Sequence, residues 1–373
     1  MLDLSEIAVV DNHCHGVFSD TAPVGLDTYR HRFTECAGEP FGPEHTSSAI
    51  HYLWAIRQLA GALECDPTEE AVLAARAALS QEQLDAHFLR AANIAWLLVD
   101  DGYPDPADVE DREGLARRGG FQVGWVERVE SVAERLAAKG EKFALFDEDL
   151  RDHLASARAR GVCGLKTVAA YRSGLAIGWH DRDDVHAAYK RMRRMPRPRV
   201  SEQPLVDHIV SLTMEAAAEQ DLPVQFHTGY GDSDADLLLA SPLHLAPLLR
   251  RFPSVAVVML HGSYPYTREA AVLAATYPNA YVDVSYAIPF LTSSELYAVT
   301  HQAIAAAPVA RVMYSSDAVG LPEQHWLGAV RGRRALGAAL GDLVALGDIT
   351  AAQGRSLAEL VLRGNAERIY QLV

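Results

Sequence analysis

Short apolar runs rich in β-branched residues recur along the chain, each followed by a stretch with hydrophobic residues at three- and four-residue spacing. Eight runs stand out: IAVVDNH (7–13), NIAWLLVDD (93–101), FQVGWVE (121–127), VCGLKTV (162–168), LPVQFHT (222–228), VAVVMLH (255–261), AYVDVS (280–285) and ARVMYSSD (310–317). Between them lie helical patterns such as PLVDHIVSLTMEAAAEQ (204–220), PLHLAPLLRRF (242–252) and EQHWLGAVRGRRALGAAL (323–340). A continuous apolar run marks a strand buried on both faces, and its regular alternation with amphipathic helices marks βα units around a parallel sheet. Eight units in a chain of 373 residues predict an α/β fold, a (β/α)8 TIM barrel, whose active-site residues belong at the C-terminal ends of the strands.

Two connections exceed the length of a simple βα loop. Residues 16–92 contain two long helical patterns and predict a helical insertion after strand 1; residues 169–203 predict a lid-like insertion after strand 4. Both leave the barrel at its catalytic end. With no linker composition between the units, residues 1–373 read as a single barrel domain.

Composition narrows the function. Hydrophobic residues make up 49% of the chain, enough for a large core. A formal net charge of −15 repels nucleic acid and anionic membranes, which leaves a small-molecule substrate as the expected partner. The basic run KRMRRMPRPR (190–199) reads as a solvated loop or lid face. Four cysteines without CxxC spacing fit a reducing compartment. The N-terminus has no leader pattern and no stretch of about 18 apolar residues occurs, so the expectation is a cytoplasmic chain, with homo-oligomerisation left open.

The first strand ends in His13-Cys14-His15. Side chains alternate along a strand, so the two imidazoles share one face, toward the barrel mouth, while Cys14 faces the helices. The pair is a metal half-site or a pair of loop caps. Other strands end alike: the fifth at His227, the sixth at His261, the eighth at Asp317. Nitrogen and oxygen donors converging on one barrel end suit a divalent metal, Zn²⁺ foremost, with Mn²⁺ or Fe²⁺ as alternatives. Lys166 lies in the apolar fourth strand, where a buried ammonium is costly. It either pairs with Asp317 or another carboxylate, or its neutral amine takes up CO2 to become a carboxylated lysine that bridges two ions.

Together these residues, His13, His15, Lys166, His227, His261 and Asp317, resemble the amidohydrolase superfamily. The stretches GLKTVAAYRSGL, FHTGYGDSDADLLLASPLHLAPLL and YSSDAVGLPEQHWLGA are similar to the amidohydrolase-like domain that some plant and fungal proteins fuse to a glutamine synthetase-like domain. The resemblance implies a metal-dependent hydrolase cleaving C–N amide bonds. One ion would sit on His13, His15 and Asp317, with or without a second on Lys166, His227 and His261, and Asp317 would shuttle the proton. With a single ion, His261 would instead polarise the substrate carbonyl. The fused partner domain implies γ-glutamyl amides as substrates.

Arg172, six residues past Lys166, is either a clamp for a substrate carboxylate or a surface arginine. Tyr171, Tyr264 and Tyr266 are candidates for the pocket wall or for packing. His51 and Trp54, one turn apart on the insertion, are candidates to reach the mouth; His180 and His244 read as structural. Competing functions are a decarboxylase or isomerase of the same superfamily and a non-catalytic sensor barrel.

Overall fold

The computed structural model describes residues 1–19, 24–36 and 43–372. All eight predicted runs contain strands: β1 (Val9–His15), β2 (Ile94–Asp100), β3 (Gln122–Arg128), β4 (Val162–Thr167), β5 (Val224–Phe226), β6 (Val257–Met259), β7 (Ala280–Ser285) and β8 (Val312–Ser315). They lie parallel and in sequence order in one sheet. Just beyond β8 the chain returns to β1, where Asp317 N donates to His13 O at 3.0 Å and His15 N donates to Ala318 O at 2.9 Å. The result is a (β/α)8 barrel. The strands are largely buried because the helices cover one face and the barrel interior fills the other.

One feature of β1 departs from plain alternation. Its register with β2 shifts between Asp11 and Cys14. The Asn12 amide donates to Asp283 Oδ2 at 3.2 Å and to Tyr314 O at 2.7 Å, while Asp11 accepts from Ser316 N at 2.7 Å. Asn12 and His13 are thus both drawn toward the strands that face β1, which the bulge makes possible. Cys14 packs in an apolar cluster with Leu97, Val99 and Leu115, on the helix side as alternation predicts.

The insertion after β1 has a core of its own. Tyr29, Phe33, Tyr52, Leu59, Leu84 and Phe88 pack together with Leu321 and Leu327 of the segment that follows β8. The helix Ile50–Leu63 supplies the largest share of that core, through Tyr52, Ala55, Ile56, Leu59 and Ala60. A fully buried ion pair, Arg76 Nε to Glu323 Oε1 at 2.7 Å, fastens the insertion to the helix Pro322–Leu346. In the second insertion the helix Arg182–Met192 packs Tyr189 on Phe146, ring centroids 4.5 Å apart. The basic run ends this helix, where Arg191 pairs with Glu202, and continues into a loop, where Arg199 pairs with Asp234. No described helix is long and apolar enough to cross a membrane.

Candidate active site

Every barrel strand delivers its C-terminal end to one mouth, so a residue's chemistry there is decided by which position ends the strand. β1 ends on His13 and His15. The chain past β8 carries Asp317, whose Oδ1 lies 3.4 Å from both His13 Nε2 and His15 Nε2. The turn past β6 carries His261, with Nδ1 3.3 Å from Asp317 Oδ2. His227, immediately after β5, places Nδ1 3.0 Å from His261 Nε2. Lys166 near the end of β4 sets its Nζ 3.3 Å from His13 Nε2. The six residues read from the sequence therefore lie in one cluster.

Two of these positions hold a left-handed backbone, with φ of 63° at His261 and 59° at Asp317. For a residue with a side chain this costs on the order of 1 kcal/mol each. Buried aspartate side chains hold both turns: Asp283 Oδ1 accepts from His261 N at 2.7 Å, and Asp11 Oδ1 accepts from Ser316 N at 2.7 Å.

Electrostatics keeps the donors ready. Burial, reinforced by the Lys166 charge, pushes His13 down to about 4 and His227 down to about 3; burial also depresses His261. All three are neutral at pH 7 and carry lone pairs. Burial alone would raise Asp317, but His261, His13 and His15 outweigh it and hold the carboxylate well below its usual range. Burial pulls Lys166 down to about 8 against the opposing pull of Asp100.

The hydrogen bonds around the rings limit their tautomers. His227 Nε2 faces Tyr230 O at 2.6 Å and must donate to it, which leaves Nδ1 a lone pair directed at His261. His15 Nδ1 likewise donates to Tyr103 O at 2.9 Å and turns Nε2 toward Asp317. Neutral His261 has one proton for two neighbours, His227 Nδ1 and Asp317 Oδ2. On Nε2 the proton serves His227, and Nδ1 then accepts from the Ser285 hydroxyl at 3.0 Å; on Nδ1 it leaves Nε2 lone pair to lone pair with His227 Nδ1, which a cation would bridge. The described residues His13, His261 and Asp317, and likewise His13, His15 and Asp100, bring ligand atoms within 4.8 Å of one another. The site fits a divalent ion on the chemistry of its donors.

Several residues of the mouth escaped the sequence reading. Asp100 at the end of β2 lies 3.7 Å from Lys166 Nζ and is the carboxylate nearest that amine, in place of Asp317. Arg128 at the end of β3 grips Asp100 through Nη2 at 2.6 Å and Nε at 3.1 Å. Asp100 lies near the end of one run identified as a strand and Arg128 one residue past another, and the position alone was the available signal. Tyr230, whose hydroxyl donates to Asp317 Oδ2 at 3.2 Å, and Glu35 come from loops with no such marker.

Above the cluster opens a cavity of about 450 Å³. Tyr171 lines it and packs on His227 with centroids 4.3 Å apart. Arg172 lines it as well; its nearest carboxylate is Glu134 at 3.7 Å, and its buried Nε has no hydrogen-bond partner. Tyr264 is placed elsewhere, packed against the barrel core with its ring 6.1 Å from that of Phe290, while Tyr230 takes the cavity wall. His51 and Trp54 lie in the insertion, His51 bonded to Phe33 O and Trp54 beneath the Arg331 guanidinium. His180 bonds Asp207 and His244 bonds Leu238 O, both away from the cavity.

This chain belongs to the amidohydrolase family: the family model described as Amidohydrolase matches residues 84–372. Among particular relatives, it is 27% identical to protein fluG of Emericella nidulans over 98% of its own length and 46% of that protein, so it spans about half of that curated relative. A Lactobacillus casei protein provisionally classed as a metal-dependent hydrolase superposes with a TM-score of 0.89 at 28% identity, covering 100% of this chain and 98% of the other. A uronate isomerase of Thermotoga maritima shares the fold, with a TM-score of 0.69 at 12% identity over 98% of this chain and 95% of its own.

Proposed function

We propose that the protein is a metal-dependent amidohydrolase that cleaves the C–N bond of a small carboxylate-bearing amide, a γ-glutamyl amide in the first instance. The observation that carries this reading is the convergence of His13, His15, Lys166, His227, His261 and Asp317 on one mouth, with Arg172 on the cavity wall above them. A divalent ion bound there supplies an acidified water and a Lewis-acid contact for a carbonyl oxygen; zinc is the expected metal, as one ion or two.

The chain's own residues do the rest. Asp317, kept ionised by three histidines, accepts the proton of the attacking water and returns it to the leaving amine. Tyr230 fixes one oxygen of that carboxylate. Arg172 has a buried Nε without a hydrogen-bond partner and a single long ion pair, to Glu134 at 3.7 Å, which leaves it donors to dock a substrate carboxylate. Lys166, with its amine weakened by burial, reacts in its neutral form with CO2, loses one proton and becomes a carbamate donor. Asp100 and Arg128 then define the floor beneath it.

The test is a product assay on the metal-loaded protein. γ-Glutamyl amides, N-acyl amino acids and uncharged amides are offered beside aromatic acids and uronates. Amine or ammonia release from the carboxylate-bearing amides is expected. Release of CO2 from aromatic acids or isomerisation of uronates, without amine release, would instead identify a non-hydrolytic member of the family, and binding without turnover a sensor.

A further inference from the structure

The insertion after β1 sends a carboxylate into the cavity that the chemistry above does not use. Glu35 lines the main chamber and also a side chamber of about 140 Å³, bounded by Phe33, His51, Pro289 and Phe290. It therefore stands where the two spaces meet, above the Asp317 end of the mouth. Tyr171 and Tyr230 line the same chamber, and aromatic walls next to a carboxylate suit an alkylammonium. Arg172, on the β4 loop, gives the chamber a guanidinium as well. A cavity offering both an acid and a guanidinium above a metal-binding floor fits a substrate that carries both signs of charge.

We propose that Glu35 is a specificity residue that binds a positively charged amino group of the substrate. The proposal rests on the amide-hydrolase reading of this cavity; a γ-glutamyl amide already carries an α-ammonium, and what is added is the residue that binds an ammonium of the substrate and selects for it. Burial, then the neighbouring carboxylates Asp317 and Asp232, push Glu35 up to about 7. An ammonium ion arriving beside it restores the carboxylate and gains a charge-assisted hydrogen bond in a partly desolvated place. Two parts of an amide could bring that ammonium: the α-amino group of an amino-acid acyl half, or a second amine at the far end of the leaving group, lodged toward the side chamber.

The test is titration calorimetry on the metal-loaded wild type and Glu35→Gln, with two ligand pairs that each differ by one ammonium. L-Glutamate against glutarate probes the acyl half, and 1,4-diaminobutane against 1-aminobutane probes the leaving group. In at least one pair the ligand with the extra ammonium should bind wild type about tenfold or more tightly. Glu35→Gln should erase that preference while retaining metal content and the affinity for the pair's other member. A preference in the first pair places the ammonium on the acyl half, and one in the second places it on the leaving group. Absence of any preference, its survival in Glu35→Gln, or loss of metal from that variant would overturn the proposal. Because binding is read directly, the amine site stands or falls apart from amide cleavage, which the product assay scores.

Discussion

Asp317 sits in a left-handed backbone conformation while its carboxylate meets His13, His15, His261 and the Tyr230 hydroxyl. Such a strained residue stays in place only where its surroundings over-determine it, and here Asp11 holds the preceding peptide from behind. Burial pushes Asp11 up to about 8, so it is protonated in the folded chain at neutral pH but ionised in the unfolded one. Its contribution to stability is therefore complete below the unfolded value near 3.8 and is lost as pH rises through about 8. Asp11→Asn keeps an acceptor for Ser316 N and removes the titration. Thermal denaturation at fixed metal loading should show wild type losing stability between pH 5 and 8.5 more steeply than Asp11→Asn, and equal slopes would refute this account of Asp11. Arg172→Ala should lower kcat/KM for carboxylate-bearing amides by about 2–4 kcal/mol in transition-state terms and leave uncharged amides unaffected. An equal loss on both classes would remove Arg172 from substrate binding.

At the scale of elements, the strands were legible because burial on both faces writes apolar runs that periodicity detects. His13, His15, His227, His261 and Asp317 were legible for the same reason, since each is a polar residue that closes such a run. Asp100 and Arg128 lie at or just past the ends of runs too, yet Asp100-Asp101-Gly102 and Glu127-Arg128-Val129 look like ordinary solvated turns, and only the closed barrel reveals that Arg128 grips Asp100 and Asp100 faces Lys166. The insertion's helices were visible, but Glu35 lies in an irregular stretch whose direction depends on how the insertion docks. That docking has its own test in the buried Arg76–Glu323 pair. Arg76→Met strands a buried carboxylate and should cost about 3–5 kcal/mol, whereas Arg76→Met with Glu323→Leu should recover most of it. Denaturant unfolding of both variants measures this, and a harmless single substitution would mean the pair does not fasten the insertion.

For the molecule as a whole, a net charge of −15 surrounds a mouth that concentrates neutral imidazoles, the ionised carboxylates of Asp317 and Asp100, and a weakened amine. Distant surface charges are screened within about 10 Å at ordinary ionic strength, so the local donors decide what binds. The resemblance read from the strand ends and the family match agree on the class of protein; the substrate depends on loop residues such as Arg172 and Glu35 and was not legible from periodicity. The central claim is that the strand-end residues form a divalent metal site on which activity depends. The most direct measurement is elemental analysis of the purified protein, coupled to activity, for wild type and the His13→Ala, His15→Ala double variant. One or two equivalents of a divalent transition metal are expected in wild type, with metal and activity lost together in the variant and on chelation. Full activity in chelator-treated protein shown to contain no metal would contradict the account.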